Sequence, residues 1–233
     1  MNFSVIQNNL EYLMIGAWPN GVIGGLALTL ILSIISAILS AIIGFIAGIF
    51  VVMGSKPIKT ILTLVIGFFR AIPILMLMLW SVFLLPKLFG VNMPPLWAAI
   101  AALSLVGGAY IAHVVAAGLT SINKGQWLAG TALGFTRYQV LTTFIMPQVI
   151  PKMMPSFINQ WVSLIKDTSL VYILSMPDFL YLARQIDGTS WSDYSIQIYL
   201  FVGLVYYCLC VGFSGLMNKL TKYYFKNGLN HAQ

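Results

Sequence analysis

The chain has 233 residues, 60% of them hydrophobic and 7% charged, with a mean hydropathy of +0.93 and a formal net charge of +7. Soluble domains carry roughly 25% charged residues, so the composition argues against a soluble enzyme and places the chain in the membrane class. It argues equally against a nucleic-acid binder, because the basic residues lie between apolar runs and form no contiguous patch.

The N-terminal stretch MNFSVIQNNLEYLM has neither a charged n-region nor a short apolar h-region, and is not expected to be a cleaved signal. A bilayer core of about 30 Å needs roughly 20 apolar residues per helix. On that scale the chain reads as one all-α transmembrane domain, residues 1–233, with five spans at about 22–53, 60–85, 96–119, 153–176 and 194–217. Gly24, Gly25, Gly44 and Gly48 give the first span small faces for close helix approach. Arg70 and Pro73 lie inside the second, and the polar segment 120–151 separates the third from the fourth. Cys208 and Cys210 sit two apart in the fifth, where a helix points them in different directions; they read as apolar fillers, with no disulfide and no metal site.

Five spans place the termini on opposite sides. With the N-terminus outside, the inner segments hold Lys56, Lys59, Lys124, Arg137, Lys152, Lys219, Lys222 and Lys226, while the outer ones hold only Lys87 and Arg184. Glu11, Asp178, Asp187 and Asp193 also fall outside. The excess of inner cations follows the positive-inside rule, so the C-terminus and segment 120–151 are expected in the cytoplasm.

Within that segment Gln126–Leu133 reads as a short helix, with Leu128, Thr131, Ala132 and Phe135 at helical spacing. Gly134 stops it, and Thr136-Arg137-Tyr138 begins the return to the membrane. The small residues Ala129, Gly130, Thr131, Ala132 and Gly134 would let a partner surface approach; an ordinary inter-helix loop accounts for the same residues.

The order G-x-W-x-A-x-x-A-L-G-F-x-R-x-Q, then P-Q and N-Q-W-V-S-L-x-K-D-T-S-L-V, over Gly125–Val171, resembles the signature loop of ATP-binding cassette importer permeases, in the polar amino acid branch. Phe69-Arg70-Ala71-Ile72-Pro73-Ile74 and Ala109-Tyr110 resemble further segments of that branch, and the likeness runs over about residues 12–225. It is most like a glutamate/aspartate permease subunit, with histidine, glutamine and arginine permeases as relatives. The resemblance implies a type I importer permease fold with a cytoplasmic coupling helix, in the cell inner membrane. By position that helix falls on Gln126, Leu128, Ala129, Gly130, Leu133, Gly134 and Phe135, which would meet a cytosolic ATPase. The implied partners are an ATPase dimer, a second permease subunit, identical or related, and a periplasmic or surface-tethered binding protein. The chain departs from the family in having Leu128, Ala129 and Gly130 where Glu-Ala-Ala is usual, and His113 and Ala116 where the third span usually has Glu and Arg. Leu128 would then dock into an apolar pocket, or this chain is the less typical half of a heterodimer. His113 reads as a packing residue.

Charged side chains cost a few kcal/mol at the bilayer centre, about 2.5 to 3.5 on insertion scales, and so face a partner or water. Asn159, Ser163, Lys166 and Asp167 recur at three- and four-residue spacing as one polar stripe on the fourth span, with Thr168 beside them, and Arg70 lies near the middle of the second. These six are the candidate substrate residues, cations meeting a carboxylate and Asp167 an ammonium. An interhelical ion pair of Asp167 with Arg70 accounts for the same charges, and Lys166 could snorkel. The leading substrate is an acidic amino acid such as glutamate or aspartate, then glutamine or a basic amino acid.

No G-x-x-x-x-G-K-[ST] sequence is present, so ATP would be used by a separate subunit; this chain needs no cofactor and is not itself an enzyme. An ion-gradient-driven secondary transporter is the alternative, though those folds usually show internal repeats and more spans. A non-transporting scaffold is a third, against which stands the polar stripe.

Overall fold

A computed structural model describes residues 4–189 and 194–229; Asp193 of the acidic count lies outside them, as does the side chain of Lys226. Regular structure among the described residues is helical. In chain order the elements are α1 (Ser4–Asn8), α2 (Leu10–Ile15), α3 (Gly25–Met53), α4 (Lys56–Ala71), α5 (Ile74–Leu79), α6 (Leu85–Phe89), α7 (Pro95–Thr120), α8 (Lys124–Ala132), α9 (Arg137–Gln139), α10 (Met146–Asp167), α11 (Phe179–Thr189) and α12 (Ser195–Leu229).

By length and composition α3, α7 and residues 195–224 of α12 can cross a membrane, and α4 with α5–α6 would make a fourth crossing if taken as one broken span. The expected second span is therefore interrupted, at Ile72 and Pro73, because proline has no N–H to give the preceding turn and its neighbour is steered away from helix. The expected fourth span also differs. Its α-helix starts earlier, at Met146, and ends at Asp167, after which Thr168–Leu174 is a 3₁₀ turn. Two π-helical turns, Trp80–Leu84 and Val140–Ile145, each end two residues before a proline, Pro86 and Pro147. At their ends Leu85 donates to the Trp80 carbonyl and Met146 to that of Leu141, five residues back. The wider turn makes room for a ring that would otherwise press on the carbonyl four residues earlier.

On α3 the usual soluble pattern is reversed. Ile34, Ile38, Ile42 and Ile46 are exposed at four-residue spacing, while Thr29, Ser33, Ser36 and Ser40 are buried. Lipid solvates the isoleucines, and small polar residues let helices approach. The Ser33 hydroxyl is satisfied locally by donating to the Thr29 carbonyl at 2.7 Å.

The chain divides into two compact units. The first comprises Met1–Ile38, Ile72–Ser104 and Trp161–Phe213. Its core joins Leu28 and Leu32 of α3, Met78 of α5, Leu103 of α7, Leu164 of α10 and Val171 of the 3₁₀ turn. A second cluster packs Leu13 of α2 with Phe179, Leu182 and Ile186 of α11 and Ile198 and Val202 of α12. Gly25 opens α3 at φ +60°, donating its N–H to the Pro177 carbonyl at 2.7 Å; a Cβ there would strike the Leu13 carbonyl. Gly24 and Gly25 thus serve a tight backbone crossing, not the helix-face packing expected of them. Asp178, fully buried, caps α11 by accepting from the amides of Tyr181 at 3.0 Å and Leu180 at 3.3 Å. Burial pushes its carboxyl up to about 7, against the lowering effect of those amides.

The second unit comprises Leu39–Ala71, Leu105–Gln160 and Ser214–Gln233. Here Gly44 and Gly48 do provide close helix contact: a Cβ on Gly44 would lie 2.6 Å from the Gly108 carbonyl oxygen, and one on Gly48 2.7 Å from that of Ala112. Ile66, Ala109 and Ala112 form the adjoining core with Leu62 and Phe69.

Candidate functional site

The second unit carries the short helix expected between the third and fourth spans, and local chemistry fixes both its ends. Asn123 caps α8, its side-chain oxygen accepting from the Gly125 amide at 2.8 Å. At the other end Phe135 donates to the Gly130 carbonyl at 3.2 Å and Gly134 to that of Thr131 at 3.0 Å, with Gly134 at φ +86°. This pair of bonds is a Schellman closure, which requires a left-handed residue at the Gly134 position. One residue later Thr136 and Gln139 form a reciprocal capping box that starts α9. The T-x-x-Q spacing that signals this box was present in the sequence and unread there.

The expected contact residues of α8 divide by face. Gln126, Leu128, Ala129, Leu133 and Gly134 are exposed, Leu128 at 69% and Leu133 at 76%. Phe135 is partly exposed and stacks edge-on against Phe144, with ring centres 5.2 Å apart. Gly130 faces inward. A Cβ there would lie 2.6 Å from Cγ2 of Val140, so its lack of a side chain serves packing within the chain. The outer face is thus bulkier than its many small residues suggested.

Arg70 ends α4 in the same unit. Its guanidinium carbon lies 5.2 Å from the centre of the Tyr110 ring, and the Tyr110 hydroxyl donates to the Arg70 carbonyl at 3.5 Å. That carbonyl is free because the helix stops before Pro73. The Nε of Arg70 is buried without a hydrogen-bond partner among the described residues. His113, three residues beyond Tyr110 on α7, is exposed, not packed as expected.

The polar stripe on α10 is open. Asn159 and Lys166 are exposed, and Ser163 and Asp167 are half-buried. Thr168 departs from the stripe: it is fully buried, and its hydroxyl donates to the Ile165 carbonyl at 2.6 Å. It stands three and four residues after the buried Ile165 and Leu164, on the face turned away from the stripe, so it is not available to a ligand as expected.

Residues 40–223 match the family of binding-protein-dependent transport system inner membrane components. The chain belongs to that family. Among its relatives, the glutamate/aspartate import permease protein GltK of Escherichia coli O157:H7 is 35% identical over 167 residues, covering 67% of this chain and 72% of that protein. The probable glutamine ABC transporter permease protein GlnP of Bacillus subtilis (strain 168) is 33% identical over 141 residues, covering 60% and 64%. Among solved structures, an amino acid ABC transporter crystallised with histidines superposes with a TM-score of 0.82 at 23% identity, over 96% of this chain and 99% of that one. Family and superposition agree on an all-helical importer permease fold.

Proposed function

We propose that this chain is the membrane-spanning permease subunit of an ATP-driven importer of polar amino acids, with glutamate or aspartate the leading substrate and glutamine or a basic amino acid next. The observation that carries the reading is α8: a helix capped at both ends, packed inward through Gly130 and presenting Leu128 and Leu133 to solvent. Exposed leucines on a rigid short helix suit a groove on a cytosolic ATPase subunit, with Leu128 replacing the acid usual in the family. The open α10 stripe supports a second permease subunit. Charges cannot face lipid cheaply, so Lys166 and Asp167 would line a path completed by that subunit. A binding protein outside would deliver the amino acid, and ATP closure would move α8 and, through the spans, the stripe. The charge distribution supports α8 and the C-terminus in the cytoplasm and the N-terminus outside. The remaining crossing, fourth in chain order, would be α10 with the 3₁₀ turn.

Reconstitution tests this. Vesicles holding the permease with its cassette ATPase and binding protein should take up labelled glutamate or aspartate only when ATP is supplied to the ATPase face. Uptake driven by an ion gradient without ATP would overturn the reading in favour of a secondary transporter. ATP-driven uptake of glutamine or arginine alone would overturn only the substrate.

A further inference from the structure

The chain's charges divide sharply between its two units. The four acidic residues the structure describes, Glu11, Asp167, Asp178 and Asp187, all fall in the first unit. The second holds nine of the twelve basic residues and no acid. Within that second unit lies a cavity of about 380 Å³ where the last turns of α3 and α7 meet α8. Met53 ends α3, Leu119 stands one residue from the end of α7, and with Ile122 and Trp127 they form an apolar wall. Lys124, in the first turn of α8, and Arg137, at the start of α9, are its charged members.

We propose that this cavity is a binding site for an anionic phospholipid. Its position sets the level in the membrane. α3 and α7 are both long and apolar enough to cross, and both end at the cavity, so it opens where lipid headgroups lie. Its lining sets the chemistry. Two cations suit a phosphodiester, and the apolar wall suits the glycerol and first methylenes, which free phosphate would leave uncovered. Trp127, half-buried, is the residue type that settles at the membrane–water boundary. No carboxylate from any packed element competes, because the unit contains none. A zwitterionic headgroup would bring an ammonium against Lys124 and Arg137, and basic pockets between membrane helices select anionic headgroups for this reason. A lipid held there would brace α8 against the ends of α3 and α7. The proposal rests on the membrane fold and not on the identity of the substrate or the ATPase.

The test uses the full chain, purified in detergent and stripped of lipid. Native mass spectrometry would compare dioleoylphosphatidylglycerol with dioleoylphosphatidylcholine, with inorganic phosphate and poly-glutamate as separate arms. The expected result is one tightly held phosphatidylglycerol, preferred roughly 10- to 30-fold, the scale of two cations near a headgroup. Lys124→Gln with Arg137→Gln should abolish the preference, whereas Lys219→Gln with Lys222→Gln, basic residues of α12, should keep it. Thr120→Trp, which fills the cavity from an exposed lining position, should block binding with the charges intact and so covers the case in which the double variant misfolds. Equal binding of the two lipids overturns the proposal, as does equal loss in the α12 variant, which would signal general charge attraction. Phosphate binding as tightly, or poly-glutamate displacing the lipid with the same sensitivity to Lys124 and Arg137, overturns it in favour of a free anion or an acidic protein surface.

Discussion

A Cβ placed on Gly130 of α8 would stand 2.6 Å from Cγ2 of Val140, closer than non-bonded carbons sit. The inner face of the exposed helix is therefore set by a residue in the following π turn, and α8 is held by contact as well as by its caps. Gly130→Ala should destabilise the chain by up to about 2 kcal/mol: overpacking costs about 1 to 3, and alanine returns about 1 through helix propensity. In a Val140→Ala background the same change should be neutral or stabilising. Thermal melting of the four purified forms gives the coupling between the two sites directly, and additive effects would show that the helix does not pack here.

Leu128 and Leu133 test the outer face. Both are exposed, so Leu128→Asp and Leu133→Asp should leave melting within about 0.5 kcal/mol of the parent, as surface changes usually do. If they dock into the ATPase, co-purification of the two proteins and substrate-stimulated ATP hydrolysis should both fall at least about tenfold, the effect of losing about 1.4 kcal/mol. Normal co-purification and normal hydrolysis in both variants would sink the docking assignment.

Asp178 carries a pH dependence. Burial raises its carboxyl from 3.8 to about 7, so between those values the folded chain holds a proton that the unfolded chain has released. Stability contributed by this group therefore falls as pH rises from about 4 to about 7 and is level above, with a slope of at most about 1.4 kcal/mol per pH unit. Melting in detergent should drop between pH 5 and pH 7. Asp178→Asn retains an acceptor for the amides of Leu180 and Tyr181 but does not titrate, and should flatten that part of the profile. A profile unchanged by the substitution would mean that another group controls it.

The parts of this fold that were legible in the sequence are those where one residue type decides. Gly134 marked the end of α8, and the three- and four-residue spacing of Asn159, Ser163, Lys166 and Asp167 a single helical face. Partners distant in sequence were not legible. Hydrophobicity alone does not say that Gly24 and Gly25 meet a backbone and Gly44 and Gly48 a helix. The end of α10 was hidden for a different reason: Thr168–Leu174 is as apolar as a span requires, and an α-to-3₁₀ change alters hydrogen bonding without altering composition. Thr168 is next to the stripe in sequence, but it follows buried Ile165 and Leu164 by three and four residues and so lies on the core face.

Neighbouring Asp167 and Thr168 should therefore fail in opposite ways. Asp167 is half-buried on the open stripe, whereas Thr168 is fully buried and bonded to the Ile165 carbonyl. Thr168→Val keeps the shape but removes the hydroxyl, and should cost about 1 kcal/mol of stability, the net worth of a typical hydrogen bond, with no change in the KM for uptake. Asp167→Asn keeps shape and polarity but removes the charge. If Asp167 meets a substrate ammonium, the variant should melt normally and assemble with its ATPase. It should lose most uptake, because losing one partner of a buried charge pair costs roughly 2 to 5 kcal/mol in binding. Melting and vesicle uptake measured side by side separate the two roles. A destabilised Asp167→Asn that melts normally once Arg70→Met is added would instead make Asp167 a structural counter-ion, and a raised KM in Thr168→Val at normal stability would return Thr168 to the binding stripe.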